Sequence, residues 1–149
     1  HMTAPDPSGE GAAAAMKRAL DDSGLPPGSI GYLNLHGTGT RLNDAMESRA
    51  AAAVFNAPLP VSSTKAITGH TLGAAGALEA GLCWIALSDS NPDNSLPVQL
   101  WDKEYDPELP QLDFISEPRT VPELRACMSN SFAFGGCNVS VLLAKKNRM

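Results

Sequence analysis

The sequence predicts an α/β domain in which a mixed five-stranded sheet carries helices on both faces. Short apolar runs bounded by turn residues have the length and flanks of buried strands. Longer stretches rich in alanine and other small residues have the length of helices. Helices and strands alternate at first and strands close the chain, an order that fits one layered sheet. The predicted helices are residues 10–20, 43–55 and 73–88, and the predicted strands are residues 30–35, 61–63, 112–115, 126–129 and 139–143.

The first helix lies between two segments that break regular structure. Pro5, Pro7 and Gly9 precede its alanine-rich run, and the turn that follows contains Gly24 and Pro26. Proline removes a backbone donor and fixes φ, and glycine favours turns. The helix is therefore confined to the residues between these breakers.

The third predicted helix combines small and large apolar residues. Gly76, Ala80 and Gly81 would let another backbone approach closely, while Leu82 and Trp84 supply apolar bulk. We therefore expect this helix to be largely buried.

Residues 91–110 predict a long ordered loop or a set of turns within the domain. Four prolines interrupt the segment, and Trp101 and Tyr105 lie between them. Aromatic residues in such a segment favour packing against the domain over a boundary. The length of 149 residues predicts a single domain, residues 1–149.

Charge and cysteine content indicate which partners the chain does not bind and in which cellular compartment it is found. The formal net charge is -5 and the isoelectric point is near 5.0, so there is no basic footprint for nucleic acid or an anionic membrane surface. Three cysteines, an odd number without framework spacing, indicate a reducing compartment. Without a recognisable leader or long apolar span, the sequence predicts a cytoplasmic chain.

Two histidines follow short apolar runs and lie among Gly and Thr. They are His36 and His70. Catalytic groups collect where strands of α/β folds give way to loops, so the pair suggests two donors to one developing oxyanion. From spacing alone they are equally well two ordinary loop histidines.

Several short motifs share a fixed order along the chain. They are His36-Gly37-Thr38-Gly39-Thr40, Asn43-Asp44, Glu47, Ser63-Thr64-Lys65, Gly69-His70, Leu72-Gly73-Ala74-Ala75-Gly76, Glu79 and Ser129-Asn130-Ser131-Phe132. In this order they resemble the elongating β-ketoacyl-acyl-carrier-protein synthases, from near the first residue to Leu143. The resemblance implies the C-terminal half of a thiolase-like fold.

The resemblance also implies that the nucleophilic cysteine is absent from this chain. In the family it opens a helix of the N-terminal half. Cys83, Cys127 and Cys137 are expected to be structural thiols, since buried cysteine commonly behaves as a small hydrophobe. Cys137 is the exception to watch, because the family usually has Thr there and a thiol beside Gly-Gly could be accessible.

The implied reaction explains why paired histidines are needed. An acyl group moves to the cysteine, and a malonyl thioester then loses carbon dioxide and leaves an enolate, whose oxygen needs two hydrogen-bond donors. By resemblance His36 and His70 are those donors. Each imidazole must then stay neutral, with its other nitrogen accepting a backbone N–H.

Other site residues follow from the family motifs. Lys65 and Glu79 could be a solvated surface pair, but Glu79 lies in an apolar helix where a carboxylate needs a partner, and by resemblance the two support the histidines. Thr38 and Thr40 match hydroxyls that bind the phosphopantetheine amides. Phe134 matches the residue whose N–H joins the acyl-transfer oxyanion hole and whose ring gates the acyl pocket.

No cofactor is expected to be required, but a structural monovalent cation is implied by resemblance. The matching positions are Asn34, Glu79, Ser129 and Asn130. The implied partners are acyl carrier protein, which bears phosphopantetheine, and the N-terminal ketosynthase half, in a homodimer or heterodimer.

Three functions remain open from the sequence. The first is the catalytic half of a ketosynthase, which the joint presence of His36, Lys65, His70 and Glu79 favours. The second is a non-catalytic partner that resembles a chain-length factor or binds carrier protein. A hydrolase-like dyad of His70 with Cys137 or Cys127 is the third, and no motif supports it. Ala133, where the family usually has Gly, and residues 81–84 resemble a subset with specialised products, such as an aryl-polyene-type pathway.

Overall fold

The computed structural model describes residues 4–146 and places them in two sheets and four helices. The elements are α1 (Glu10–Ser23), β1 (Tyr32–Asn34), α2 (Arg41–Val54), β2 (Pro60–Ser62), α3 (Lys65–Thr68), α4 (Ala75–Leu87), β3 (Ser95–Leu96), β4 (Asp113–Phe114), β5 (Arg119–Thr120), β6 (Ala126–Ala133) and β7 (Cys137–Ala144).

The main sheet is mixed and five-stranded, as predicted. Its strand order is β4-β2-β1-β6-β7, with parallel pairs throughout except for the antiparallel β6–β7 pair. A separate antiparallel ribbon joins β3 to β5. Its two-residue strands are too short for any periodic pattern, so the sequence did not predict them.

Helices cover both faces of this sheet because its strands alternate. Leu33 and Met128 face α1 and α2, where Met16 lies in the same apolar cluster. Tyr32 and Cys127, their neighbours along the strands, belong to a second cluster with α4 residues. Successive strand residues point to opposite faces, so each strand contributes to two cores.

Strand β6 is longer than the predicted segment 126–129. It pairs with β7 from Ala126 opposite Ala144 to Ala133 opposite Cys137. Buried polar residues in its middle interrupt the apolar alternation, so the sequence pattern does not show its full length. The hairpin turn that follows contains Gly135 and Gly136, both with φ of 77°. Backbone in this region favours glycine.

Helix α4 is less buried than the sequence predicts. Cys83, Ala86 and Leu87 are buried, but Trp84 is 63% exposed and Ile85 51% exposed. The helix is apolar on all sides, a pattern typical of a buried helix, yet within this chain only one side is covered. Among the helices of residues 4–146, none has both the length and the apolar character needed to cross a membrane.

The long loop between β3 and β4 packs against the domain through its aromatic residues. Trp101 meets Tyr105 at a ring-centroid distance of 4.8 Å and Phe114 of β4 at 4.9 Å. Apart from turns, residues 97–112 contain no helix or strand. The predicted loop of residues 91–110 is therefore found from residue 97 onward, whereas β3 (Ser95–Leu96) lies inside the predicted segment.

Candidate active site

The two histidines converge at the carboxyl end of the sheet. His36 follows β1 and His70 follows the short α3 that succeeds β2, and β1 and β2 are adjacent parallel strands. The ring centroids lie 5.4 Å apart at an interplanar angle of 83°. The two rings therefore lie together as expected, and His70, unlike His36, lines the neighbouring cavity. That both donate to one oxygen stays a prediction.

The surroundings of each ring favour the neutral imidazole form or a defined tautomer. Burial, with the charges of Lys65 and His70, lowers the pKa of His36 to about 4, so this ring is uncharged at neutral pH. The backbone N–H of Leu72 donates to Nδ1 of His70 at 3.3 Å, which leaves the proton on Nε2. Among residues 4–146 no partner for Nδ1 of His36 is found, so the expected backbone donor is met only at His70.

Leu72 reaches that position in a strained backbone conformation. Its φ is 52°, a region that non-glycine residues seldom occupy. Strain of this kind persists where the surrounding structure imposes it and often marks functional sites. No sequence pattern at a leucine indicates such a conformation.

Glu47 fixes the loop that carries His36. Its Oε1 accepts the backbone N–H of His36 at 2.8 Å, and its Oε2 accepts that of Gly37 at 2.8 Å. The side-chain amide of Asn130 donates to Oε1 at 3.1 Å. Burial raises the pKa of Glu47 to about 7, while these hydrogen bonds act in the opposite direction. The sequence placed Glu47 in a motif but gave it no role, because its bonds reach backbone groups far along the chain.

Lys65 and Glu79 form a buried ion pair beside the histidines. The Lys65 ammonium donates to Oε1 of Glu79, and both side chains are buried. Burial raises the pKa of Glu79, and Lys65 opposes that shift. The expectation that Glu79 is buried against Lys65 is confirmed.

Three buried oxygen atoms on the α4 face suit a hard cation. Oδ1 of Asn34, Oγ of Ser129 and Oε2 of Glu79 have no hydrogen-bond partner among the described residues. Asn34 and Ser129 are register partners on adjacent strands. Oxygen ligands of this kind are those that hard cations prefer.

Asn130 does not join these oxygens through its side chain. As the next residue along β6, it points to the opposite face, where its amide donates to Glu47 and its Oδ1 accepts the Ser140 hydroxyl at 2.7 Å. Strand alternation therefore puts the Asn130 side chain on the face opposite that of Ser129, and a place for Asn130 near the cation stays a prediction. Within residues 4–146, no three His, Cys, Asp or Glu side chains are grouped to hold a metal ion.

The predicted substrate-binding residues lie on exposed loops. The hydroxyls of Thr38 and Thr40 are 2.9 Å apart on the loop after His36. Phe134 is 78% exposed at the β6–β7 turn. The aromatic ring that contacts His36 is that of Phe132, at a centroid distance of 5.9 Å; the sequence placed Phe132 in a motif but gave it no role.

The three thiols occupy different environments. Cys83 and Cys127 are buried, and the Cys83 thiol together with burial raises the pKa of Cys127. Cys137 is exposed at the start of β7, which is the alternative that the sequence left open for this thiol. A high thiol pKa opposes nucleophilic chemistry at Cys127.

Comparison with known families shows which family the chain belongs to. The family described as "Beta-ketoacyl synthase, C-terminal domain" matches residues 1–98. The chain belongs to the β-ketoacyl synthase family. The 3-oxoacyl-[acyl-carrier-protein] synthase 2 of Coxiella burnetii is 40% identical over 148 residues, which are 97% of this chain and 34% of that protein. The mitochondrial 3-oxoacyl-[acyl-carrier-protein] synthase of Arabidopsis thaliana is 41% identical over 158 residues, 97% of this chain and 32% of that protein.

Solved ketosynthase structures share the fold. The ketosynthase ApeO, in complex with its chain length factor ApeC from Xenorhabdus doucetiae, is 50% identical with a TM-score of 0.87, over 97% of this chain and 35% of that one. A β-ketoacyl synthase from Burkholderia phymatum is 39% identical with a TM-score of 0.88, over 99% of this chain and 35% of that one. This chain spans about a third of the length of the relatives it matches. The predicted family and thiolase-like fold are confirmed.

Proposed function

We propose that this chain is the C-terminal part of a β-ketoacyl-acyl-carrier-protein synthase that performs decarboxylative Claisen condensation in fatty-acid or polyketide-type elongation. The observation that carries the proposal is the pair of converging rings, His36 and His70, with centroids 5.4 Å apart. Sequence relatives named as 3-oxoacyl synthases support the class of reaction.

The histidine pair suits an enolate oxygen. When a malonyl thioester loses carbon dioxide, negative charge develops on the thioester oxygen, and N–H donors aimed at that position stabilise it. His36 is neutral, and His70 keeps its proton on Nε2, so both can donate without first carrying a charge. One such donor is typically worth about 100-fold to 1000-fold in rate.

Other residues bind and position in this proposal. The Lys65–Glu79 pair holds charge beside the histidines without leaving either group unpaired. Thr38 and Thr40 bind the phosphopantetheine amides of acyl carrier protein, and Phe134 gates the acyl pocket through its ring and N–H.

A structural monovalent cation fits the oxygens on the α4 face. Asn34, Ser129 and Glu79 would hold it through side-chain oxygens that lack other partners within the described chain. When bound, such an ion neutralises the second Glu79 oxygen and fixes α4 against the sheet. No redox or organic cofactor enters the proposal.

Acyl transfer requires a nucleophile from outside this chain. Cys83 and Cys127 are buried, and Cys137 begins a strand, so none opens a helix whose dipole could lower its pKa. The proposal therefore includes an N-terminal ketosynthase part that brings the cysteine, in a dimer located in the cytoplasm. By itself the chain should be inactive in condensation.

A chain-length-factor-like partner is the second candidate. It is favoured by the complexes of ketosynthase with chain length factor among the similar structures, ApeO–ApeC and the ishigamide pair. The presence of both histidines and the Lys65–Glu79 pair argues for the catalytic candidate, because a non-catalytic subunit has no enolate to stabilise.

Reconstitution tests the proposal. The purified chain is incubated with acyl-carrier and malonyl-carrier thioesters, alone and with a cysteine-bearing N-terminal ketosynthase part, and both covalent acyl adduct and β-ketoacyl product are measured. We expect neither from the chain alone and both from the assembled enzyme. The matched control is Cys137→Ser, which should change nothing. Adduct on Cys137 together with product from the chain alone would contradict the proposal.

A further inference from the structure

The two segments that lead to the histidines meet at one side chain, that of Ser63. Ser63 directly follows β2 and is 7% exposed. Its hydroxyl group lies between the loop after β1, which contains His36, and α3, which precedes His70. A hydroxyl both donates and accepts hydrogen bonds, so one oxygen atom can hold two segments. The sequence placed Ser63 in a motif but gave it no role.

On the His36 side, Ser63 binds the residue that follows the histidine. Its Oγ donates to the Gly37 carbonyl at 2.7 Å. This approach requires glycine, because a Cβ atom at Gly37 would lie 2.4 Å from the Ser63 Cβ, and the Gly37 φ is 39°. The Gly37 N–H donates to Glu47 at 2.8 Å. Both polar backbone groups of the residue next to His36 are therefore held.

On the His70 side, Ser63 binds the first residue of α3. Its Oγ accepts the backbone N–H of Lys65 at 3.4 Å, a longer bond than that to Gly37. The Lys65 carbonyl in turn accepts the N–H of Gly69 at 2.9 Å, and His70 is the next residue. A single helical turn, closed by this bond, therefore connects the Ser63 hydroxyl to His70.

The backbone of Ser63 is held by a third segment. Oε1 of Gln99 accepts the Ser63 N–H at 2.8 Å. The Gln99 N–H donates to the Ile115 carbonyl at 2.8 Å, just after β4. A largely buried N–H that loses its acceptor costs free energy, so these bonds favour one position of the Ser63 backbone. The hydroxyl group therefore extends from a fixed point.

We infer that Ser63 is a positioning residue that sets the relative placement of His36 and His70. Its hydroxyl ties both segments to one atom, and the 5.4 Å separation of the ring centroids depends on that tie. The inference rests on the proposed function, because relative placement matters when both imidazoles serve one enolate oxygen. A hydroxyl that merely stabilises the turn would change the melting temperature without slowing one step of the reaction more than another.

Two partial reactions of the complete enzyme separate positioning from stability. Acyl transfer is measured as covalent adduct on the cysteine, and decarboxylation as carbon dioxide release from malonyl-carrier protein. Ser63→Ala should slow carbon dioxide release by about tenfold to 100-fold, because a small displacement of a catalytic group is costly. It should leave the rate of adduct formation and the KM for malonyl-carrier protein unchanged. In the His36→Ala background, the same substitution should slow release by less than about threefold, because there is then no pair to align.

Ser62→Ala is the matched control. The Ser62 hydroxyl, one residue earlier, is also buried, and it bonds the Tyr32 hydroxyl at 2.7 Å rather than a segment that leads to a histidine. This variant should lose similar stability in melting curves and release carbon dioxide at the wild-type rate. Gln99→Met removes the acceptor of the Ser63 N–H and is the second variant. It should slow carbon dioxide release and leave adduct formation unchanged.

Three results would overturn the inference while the proposed function stands. The first is release at the wild-type rate by Ser63→Ala, or by Gln99→Met where Ser63→Ala does not fold. The second is equal slowing of adduct formation and carbon dioxide release. The third is a loss that multiplies fully with that of His36→Ala. Absence of carbon dioxide release from the wild-type enzyme would instead overturn the proposed function, and this inference with it.

Discussion

At the residue scale, the site depends on a few buried polar contacts. Some of them could be predicted from the sequence and others could not. The Lys65–Glu79 pair was predictable because a lone carboxylate in an apolar helix needs a partner. The neutral state of His36 depends on burial and on nearby charges from other loops, which no local pattern encodes. Glu47 is the clearest omission, since it bonds backbone groups ten and eleven residues away.

Glu47→Ala should therefore damage both stability and turnover. The change leaves the N–H groups of His36 and Gly37 and the Asn130 amide without their acceptor, so we expect the free energy of unfolding to fall by about 3 kcal/mol. Urea denaturation measures this loss, and carbon dioxide release by the complete enzyme measures the displacement of His36. Glu108→Ala, at an exposed carboxylate, is the control. An unchanged unfolding midpoint for Glu47→Ala would contradict the positioning role.

The same residue gives a pH dependence of defined sign. Burial raises the pKa of Glu47 from an ordinary value of 4.5 to about 7, so the folded state binds the proton more tightly than the unfolded state. Its contribution to stability is present below the unfolded pKa and is lost as the pH rises through about 7. Relative to Glu47→Gln, which does not titrate, the wild-type chain should lose stability between pH 5 and pH 8. A parallel pair of stability curves would contradict the raised pKa.

At the element scale, the existence and order of the main helices and strands were predictable. Which of their sides are covered, and how far each strand extends, were not. Helix α4 was recognised from its composition, yet the sequence could not show which side is covered, because all sides are apolar. Strand β6 was predicted too short, since polar residues are buried in its middle.

The uncovered face of α4 should make the isolated chain associate. Trp84 and Ile85 are more than half exposed, and large exposed apolar patches usually mark contact surfaces. Ile85→Glu should shift the chain toward monomer in sedimentation velocity, while its melting temperature stays close to wild type because the side chain is already exposed. Leu42→Glu on α2, where Leu42 is similarly exposed, is the matched control and should not change association. An unchanged distribution for Ile85→Glu would show that this face is not the contact surface.

At the scale of the whole molecule, the chain carries the two histidines that we propose as hydrogen-bond donors. None of its cysteines suits the role of the nucleophile. The fold class and the family could be predicted from the sequence because several motifs recur in a fixed order. The enclosing surfaces of the site could not, because the chain spans about a third of its relatives and leaves the α4 face uncovered. Condensation in this account needs both parts, with His36 and His70 acting as one unit on a single oxygen.

The rate of carbon dioxide release from malonyl-carrier protein by the complete enzyme tests that claim most directly. His36→Ala and His70→Ala should each slow release by about 100-fold to 1000-fold, and the double variant should lose less than the product of the two, because both donors serve one oxygen. Melting curves confirm that the variants fold, and Cys137→Ser is the control that should not change the rate. Release at the wild-type rate by either single variant, or losses that multiply fully in the double variant, would contradict a shared enolate site.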